Sequence, residues 1–203
     1  YSPGVLILND WIINKLFKTK KKIFKQLNEY KFNLLVNELY HFVWHDFCDL
    51  YIEFCKVYME QNKFKKEISS TFSVVFKNIL NLLNPITPFI TEKICIELNY
   101  NKKGLFNEEL SSDSLKDIKI NKKKINDFEN LILLIKTVRS ETSGKKISQS
   151  NLLIFSKKKV TWVDEYREII KKILNLNEII YLSDSSDKNC FVISNIKFNV
   201  SQR

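Results

Sequence analysis

Turn-forming residues are scarce in this sequence, with only three glycines and three prolines among 203 residues. That scarcity disfavours turn-rich sandwiches and glycine-lined phosphate loops, and it leaves long helices as the expected element. Histidine is equally rare, with His41 and His45 alone, and the arginines are three, Arg139, Arg167 and Arg203. The four cysteines, Cys48, Cys55, Cys95 and Cys190, form no CxxC pair and no disulfide-like spacing. A reducing compartment fits this usage, so a cytoplasmic location is expected. No uncharged apolar run approaches the roughly eighteen residues that a membrane span requires. The motifs GxSxG, HExxH and GxxxxGK[ST] do not occur, and no catalytic residue is expected within the chain. The sequence opens Tyr1-Ser2-Pro3 with neither a Met nor a charged-then-apolar leader, and it reads as a segment of a longer protein.

Hydrophobic residues supply 44% of the chain and aromatics 13%, enough for a folded core. The net charge is +10, with basic clusters at Lys18 to Lys25, Lys63 to Lys66, Lys122 to Lys124, Lys145-Lys146 and Lys157 to Lys159. A polyanion is the natural partner for such a charge. Thirty of the thirty-three basic residues are lysine, alongside abundant Asn and Ile, a bias that AT-rich coding alone also produces. Each cluster therefore has two readings, a phosphate-facing patch and a solvated face. Lysine acts as a point charge suited to phosphate, whereas bidentate recognition favours arginine.

Apolar periodicity predicts a helix from Asp10 to about Leu27, through Trp11, Ile12, Leu16, Ile23 and Leu27, with Asn9 or Asp10 as its cap. A longer helix is predicted from about Phe32 to Gln61, with Val36, Leu39, Tyr40, Val43, Phe47, Leu50, Tyr51 and Phe54 on its apolar side. A third runs from Glu67 to Leu83 and stops at Asn84, because Pro85 pushes its predecessor out of helical geometry. In NPITPFITEKI, Thr87 is placed to cap a helix whose first position is Pro88. The polar, poorly periodic stretch from Tyr100 to Lys124 reads as a long surface loop. A helix from Ile125 to Thr142 groups Phe128, Leu131, Ile132, Ile135 and Val138, and Ser143-Gly144 stops it. Beyond that point a strand at Asn151 to Phe155, a helix at Trp162 to Leu174, a strand at Ile179 to Leu182 and a hairpin of Cys190 to Ile193 with Ile196 to Val200 indicate a small α/β unit.

The stretch FVWHDFCDLYIEFCK, Phe42 to Lys56, gathers two cysteines, a histidine and three acids among large aromatics. At about 100° per residue, with Trp44 taken as zero, Phe47, Cys48, Leu50, Tyr51, Phe54 and Cys55 share one broad arc, while His45, Asp49, Glu53 and Lys56 lie opposite, with Asp46 at their edge. Cys48 and Cys55 stand about 10 Å apart along such a helix, too far for one zinc at about 2.3 Å from each sulfur, and they read as small buried hydrophobes. His41, His45 and Asp49 form a row at four-residue spacing, but structural zinc takes four ligands. Solvated polar residues, or a face turned toward RNA, are the expected roles.

Four stretches resemble the valyl-tRNA synthetase family. FVWHDFCDLYIE is similar to its WxEFCDWYLE helix and NPITPFITEKI to its HPxxPFxTEEIW segment. NDWIINKL, Asn9 to Leu16, is similar to its DRWILSRL opening, and IKTVRSE, Ile135 to Glu141, to its IRxxRxE helix. They occur in the family's order and cover most of residues 9 to 145, while residues 150 to 203 are similar only in α/β texture and position. Leu50 stands where the family has Trp, Asn84 where it has His and Cys95 where it has Trp; these exchanges bear on packing. The HIGH and KMSKS signatures, the Rossmann domain that carries them and the C-terminal coiled-coil arm have no counterpart in the 203 residues.

The resemblance implies a mainly α fold, a helical anticodon-binding bundle over residues 1 to 147 followed by a small α/β subdomain over residues 148 to 203. Its implied partner is the anticodon arm of the valine tRNA isoacceptors, with no membrane partner, and the domain is expected to act as a monomer. No metal or cofactor is implied within the chain; ATP, Mg²⁺ and valine would belong to the full enzyme. The family places loop bases near the start of the first helix, which points to Trp11, Lys15 and Lys18 as RNA contacts, with a packing role for Trp11 as the competing reading. Arg139 is a candidate for a bidentate phosphate or base contact, against an ion pair with Glu141. A basic helical scaffold for proteins or anionic surfaces, or the same domain of an isoleucyl or leucyl relative, remain rival readings. Trp11→Ala separates its two roles: loss of anticodon discrimination across a tRNA panel marks a stacking indole, and a lowered melting temperature with discrimination retained marks a core one.

Overall fold

The computed structural model describes residues 7–60, 62–100, 105, 122–142, 150–156, 158–183 and 190–201, apart from the side chains of residues 63 and 122. The chain divides into two compact units, Tyr1–Ile120 and Asn121–Arg203. The expected division after residue 147 differs from this one, because the helix before it belongs with the α/β elements.

In the first unit, α1 (Ile7–Asn28) packs against α2 (Phe32–His41), against the π-helical segment Phe42–Tyr51 that continues α2, and against α4 (Lys65–Leu83). The π segment runs on into α3 (Ile52–Met59), and the helix predicted from Phe32 is one helical run with an altered middle. A short 3₁₀ turn, Asn62–Phe64, leads to α4, and α5 (Pro88–Glu97) packs back on α4. Pro88 takes the first position of α5 and Thr87 the cap position, as predicted, but the Thr87 hydroxyl donates to the Leu83 carbonyl instead of capping an N–H. Asn9 and Asp10 do not cap α1, because helix is already present at Ile7 and both residues are buried inside it.

The π segment explains which side chains reach the core. Buried residues run Leu35, Leu39, Phe42, Phe47, Leu50, Tyr51, Phe54, Cys55 and Tyr58. Steps of three or four are what an α-helix allows, yet the step from Phe42 to Phe47 is five, matching i→i+5 bonding such as Ile52 N–H to Phe47 C=O. Regular α geometry would have turned Asp46 inward at that level. The predicted stripe is corrected accordingly: Val36 and Tyr40 are exposed, and Leu35 and Phe42 take the buried positions.

Phe47 stacks on Tyr51 and Phe76 and tilts against Phe72, forming an aromatic layer between the long helix and α4. Beside it lies a polar chain, buried at Tyr51 and Asn9. Tyr51 Oη donates to Asn9 Oδ1 at 3.2 Å and Asn9 Nδ2 donates to Glu67 Oε1 at 3.2 Å, joining the π segment, α1 and α4. Of the predicted loop from Tyr100 to Lys124, residues 101–104 and 106–121 lie outside the described residues. Leu105 is buried against Leu80 and Cys95, its N–H donates to Glu92 Oε2 at 2.7 Å, and Lys122 onward is helical.

In the second unit, α6 (Lys122–Glu141) buries Phe128, Leu131, Ile132, Ile135 and Val138, the set that periodicity selects, together with Ile125 and Leu134. It packs on α7 (Thr161–Glu165), α8 (Arg167–Leu174) and β3 (Phe191–Ile193). Phe128 meets Tyr166 edge to face at 5.8 Å, and Ser194 Oγ donates to Asn130 Oδ1 at 2.8 Å. The predicted helix from Trp162 to Leu174 is therefore two helices, interrupted at Tyr166. The sheet has the order β2-β1-β4-β3, where β1 is Asn151–Phe155, β2 is Ile179–Leu182 and β4 is Ile196–Ser201. Strands β1 and β2 are parallel and joined through α7 and α8, and the other two pairings are antiparallel. Ser194 and Asn195 both have positive φ, as a two-residue hairpin turn of primed type demands. The stop at Ser143-Gly144 lies outside the described residues.

Tyr51→Phe keeps the ring and leaves Asn9 Oδ1 buried without this donor. A loss of about 1–3 kcal/mol in urea unfolding is expected, and an unchanged midpoint would show that the polar chain adds nothing.

Candidate nucleic-acid interface

Charge is distributed unevenly within the first unit. Helix α1 carries six lysines and one aspartate, whereas the run from Phe32 to Met59 carries four carboxylates and one lysine. Any polyanion is therefore attracted to α1 and repelled by the long helix. On α1, Lys15, Lys18, Lys22 and Lys25 follow one another at steps of three, four and three, which places them in a single stripe. Lys18, Lys22 and Lys25 are exposed and Lys15 is half-buried.

The stripe's present partners are weak. Lys22 pairs with Glu38 at 2.8 Å and Lys25 approaches Glu29 at 3.9 Å, both among exposed side chains, where such pairs contribute about 0–1 kcal/mol. Lys18 makes no ion pair among the described residues. Lys15 Nζ sits 5.8 Å from the centre of the Trp11 ring and Lys21 Nζ 4.1 Å from that of Phe17. These rings hold the ammonium groups without neutralising them. Lys20 points the other way: it is buried, its Nζ donates to Asn78 Oδ1 at 3.2 Å, and burial lowers its pKa.

Of the sequence-derived contacts, Trp11, Lys15 and Lys18 share α1. Trp11 is only 1% exposed, so the indole packs in the core and supports Lys15 rather than offering a face to a base. On that burial, Trp11→Ala belongs to the stability arm of its test, at about 3–5 kcal/mol. Arg139 lies on α6 in the second unit, exposed, with no ion pair among the described residues to Glu141 or any other carboxylate. Arg167 is structural: its guanidinium donates to the Ile179 carbonyl and lies 3.7 Å from both Asp164 and Glu178. Glu178, bonded by Lys171, is held below the usual carboxylate range. Arg203 lies outside the described residues. Lys22 and Lys25, beyond the residues to which the resemblance points, extend the stripe, and their spacing from Lys15 and Lys18 is the sequence signal for them.

The cluster in FVWHDFCDLYIEFCK resolves into surface and core. His45 Nδ1 and Asp49 Oδ2 are 3.2 Å apart, the rings of His41 and His45 are 5.2 Å apart, and all three residues face outward. No group of three or more His, Cys, Asp or Glu side chains able to hold a metal occurs among the described residues. Cys55 is buried, and burial pushes its thiol up to about 12; Cys48, half-buried, is raised by burial and then by Asp49. No described helix is long and apolar enough to cross a membrane.

A family model described as the anticodon-binding domain of tRNA ligase matches residues 9–155. The chain is 32% identical over 206 residues to a valine-tRNA ligase of Buchnera aphidicola subsp. Schizaphis graminum, covering 96% of this chain and 21% of that protein. It is 35% identical over 193 residues to one of Blochmanniella floridana, covering 88% and 20%. With one of Mycoplasma mycoides subsp. mycoides it is 31% identical over 147 residues, covering 72% and 16%. The chain spans about a fifth of the length of these curated relatives.

The thiolate is the reactive form of cysteine, so a thiol reagent at pH 8 is expected to modify Cys48 well before Cys55 in the native protein. Equal rates, read by peptide mass spectrometry, would show that the long helix opens away from its neighbours.

Proposed function

Because the chain belongs to the anticodon-binding family of tRNA ligases, we propose that it is the domain with which a cytoplasmic valine-tRNA ligase grips the anticodon arm of its tRNA. The observation that carries this reading is the lysine stripe on α1, the helix at which the family match begins. Four ammonium groups along one helical face can follow a run of phosphates, and each phosphate neutralised releases counterions. Their contacts orient the RNA without reading its sequence. Arg139, exposed and unpaired among the described residues, adds a planar donor group that lysine cannot supply.

The role of such a domain is positional. A rigid helical support for the anticodon arm fixes where the far end of the tRNA falls, and activation of valine with ATP and Mg²⁺ is assigned to the remainder of the polypeptide. The likeness to valine-tRNA ligases over up to 96% of the chain supports valine over the isoleucyl and leucyl alternatives. Within this reading the domain acts as a monomer.

Titration with tRNA at several salt concentrations tests the proposal. The log–log salt slope is expected to reflect about 0.7–0.9 per phosphate contacted, and Lys18→Ala to make it about one contact shallower. Arg139→Ala is expected to weaken binding without altering the melting temperature. Preference for a valine anticodon over a scrambled one supports the ligase reading. Equal affinity for both would leave only a basic scaffold, and preference for an isoleucine or leucine tRNA would reassign the relative.

A further inference from the structure

Helix α1 carries aromatic rings beside its lysines. Counting about 100° per residue, Phe17, Lys21 and Phe24 follow one another at steps of four and three and form a row next to the stripe of Lys18, Lys22 and Lys25. The core members of α1, Leu8, Ile12, Leu16 and Ile23 among them, lie on a different side of the helix. Phe17 and Phe24 are half-buried and Lys21 is exposed. Lys21 Nζ lies over the Phe17 ring, 4.1 Å from its centre, so one face of that ring is turned toward an ammonium group and away from the core. Trp11, the ring to which the family resemblance points, is buried, so a base resting on α1 needs another one.

The surroundings of this row are poor in negative charge. Asp10 is the only carboxylate of α1, and it is buried. Asn9 and Lys20 bond Glu67 and Asn78, which sets α4 along the flank of α1 where Phe17 and Phe24 lie. Helix α4 has three lysines and one glutamate, and that glutamate already accepts the Asn9 amide. The one acid of α2, Glu38, lies on the other flank, where it pairs with Lys22. An apolar protein surface seated here would strip water from the lysines without offsetting the loss, and a phosphate alone would leave the ring unused. An unpaired nucleotide supplies both halves, a flat base for the ring and a phosphate for the ammonium group.

We propose that Phe17 is the ring on which an unpaired base of the bound RNA stacks, and that Lys21 is its placeholder. Lys21 covers the ring face in the free protein and moves to a phosphate beside that base when RNA arrives. This assignment rests on the function proposed above. To phosphate contacts that only position the RNA it adds one that separates loop from duplex, since a paired base has no free face to offer. Stacking tolerates any base identity, so the contact selects for an unpaired nucleotide and not for a particular anticodon.

The test uses the full-length polypeptide that contains this chain and the anticodon stem–loop of a valine tRNA, intact and with a single abasic nucleotide at each loop position in turn. Phe17→Leu is expected to weaken binding of the intact loop by about tenfold, the scale of one lost base–aromatic stack. The salt slope stays as it was, because the ring carries no charge. Phe17→Trp is expected to keep the affinity of the parent protein. One abasic position is expected to cost the parent a similar factor and to abolish the difference between it and Phe17→Leu. Lys21→Ala is expected to make the salt slope about one contact shallower. Unchanged affinity of Phe17→Leu overturns the proposal, as does a loss shared by Phe17→Trp or an unaltered slope in Lys21→Ala. A loss that persists at every abasic position, the mark of a damaged fold, overturns it too. A parent protein that does not bind the loop at all removes the ligase reading and the stack with it. Equal binding of valine and scrambled anticodons with the Phe17 effects intact removes the ligase reading alone, and a valine preference without them removes the stack alone.

Discussion

The five-residue step between Phe42 and Phe47 is the constraint on which the first unit depends. Every buried contact of the long helix beyond Phe42 follows from it, because the i→i+5 turns rotate Phe47, Leu50, Tyr51 and Phe54 onto α1 and α4. Continued at α spacing from Phe42, the same face would bring Asp46 and Asp49 to the core at successive turns, and burying a carboxylate costs free energy. The aromatic layer of Phe47, Tyr51, Phe72 and Phe76 supplies the apolar return, and the Tyr51–Asn9–Glu67 chain fixes the register of three helices with directional bonds.

That register also sorts the charges. With the core side settled, α1 turns four lysines outward in one stripe while the long helix keeps its carboxylates on the surface. Within the first unit the charge is therefore uneven, with six lysines against one aspartate on α1 and four carboxylates against one lysine on the long helix. A polyanion approaching this unit is drawn to α1 over the long helix, so the field orients it as well as attracting it. Lysine suits this task, since a flexible point charge tolerates variation in phosphate position that a rigid fork would not.

The second unit shows a different economy. Its sheet has four short strands, and α6 gives it the apolar cover that α7 and α8 alone are too short to provide. This is why α6 groups with the strands that follow it, although its length and amphipathic period resemble those of the bundle helices. Arg167 and the Tyr181–Asp164 bond then tie the crossover helices to β2. Burial raises the Tyr181 pKa, keeping its hydroxyl as a neutral donor to the carboxylate.

Periodicity and turn chemistry were enough, from the sequence, to place most elements: the end of α4 and the start of α5 at Asn84 and Pro88, most of the buried set of α6, the strands after residue 150 and the hairpin that turns at Ser194-Asn195. Local rules suffice there because each boundary is set by a residue's own backbone preference. The lysines of α1 were equally legible as charge, and the four stretches carrying the family resemblance lay in plain view. The sequence could not show the π turns, since a wheel at fixed angular increment has no means of inserting a residue, and so Val36 and Tyr40 fall on the predicted apolar stripe although both are exposed. Nor could it decide that Trp11 is buried while Lys15 and Lys18 are not, or that α6 serves the sheet. Those outcomes depend on which neighbours a face meets, and only the tertiary structure brings the neighbours together.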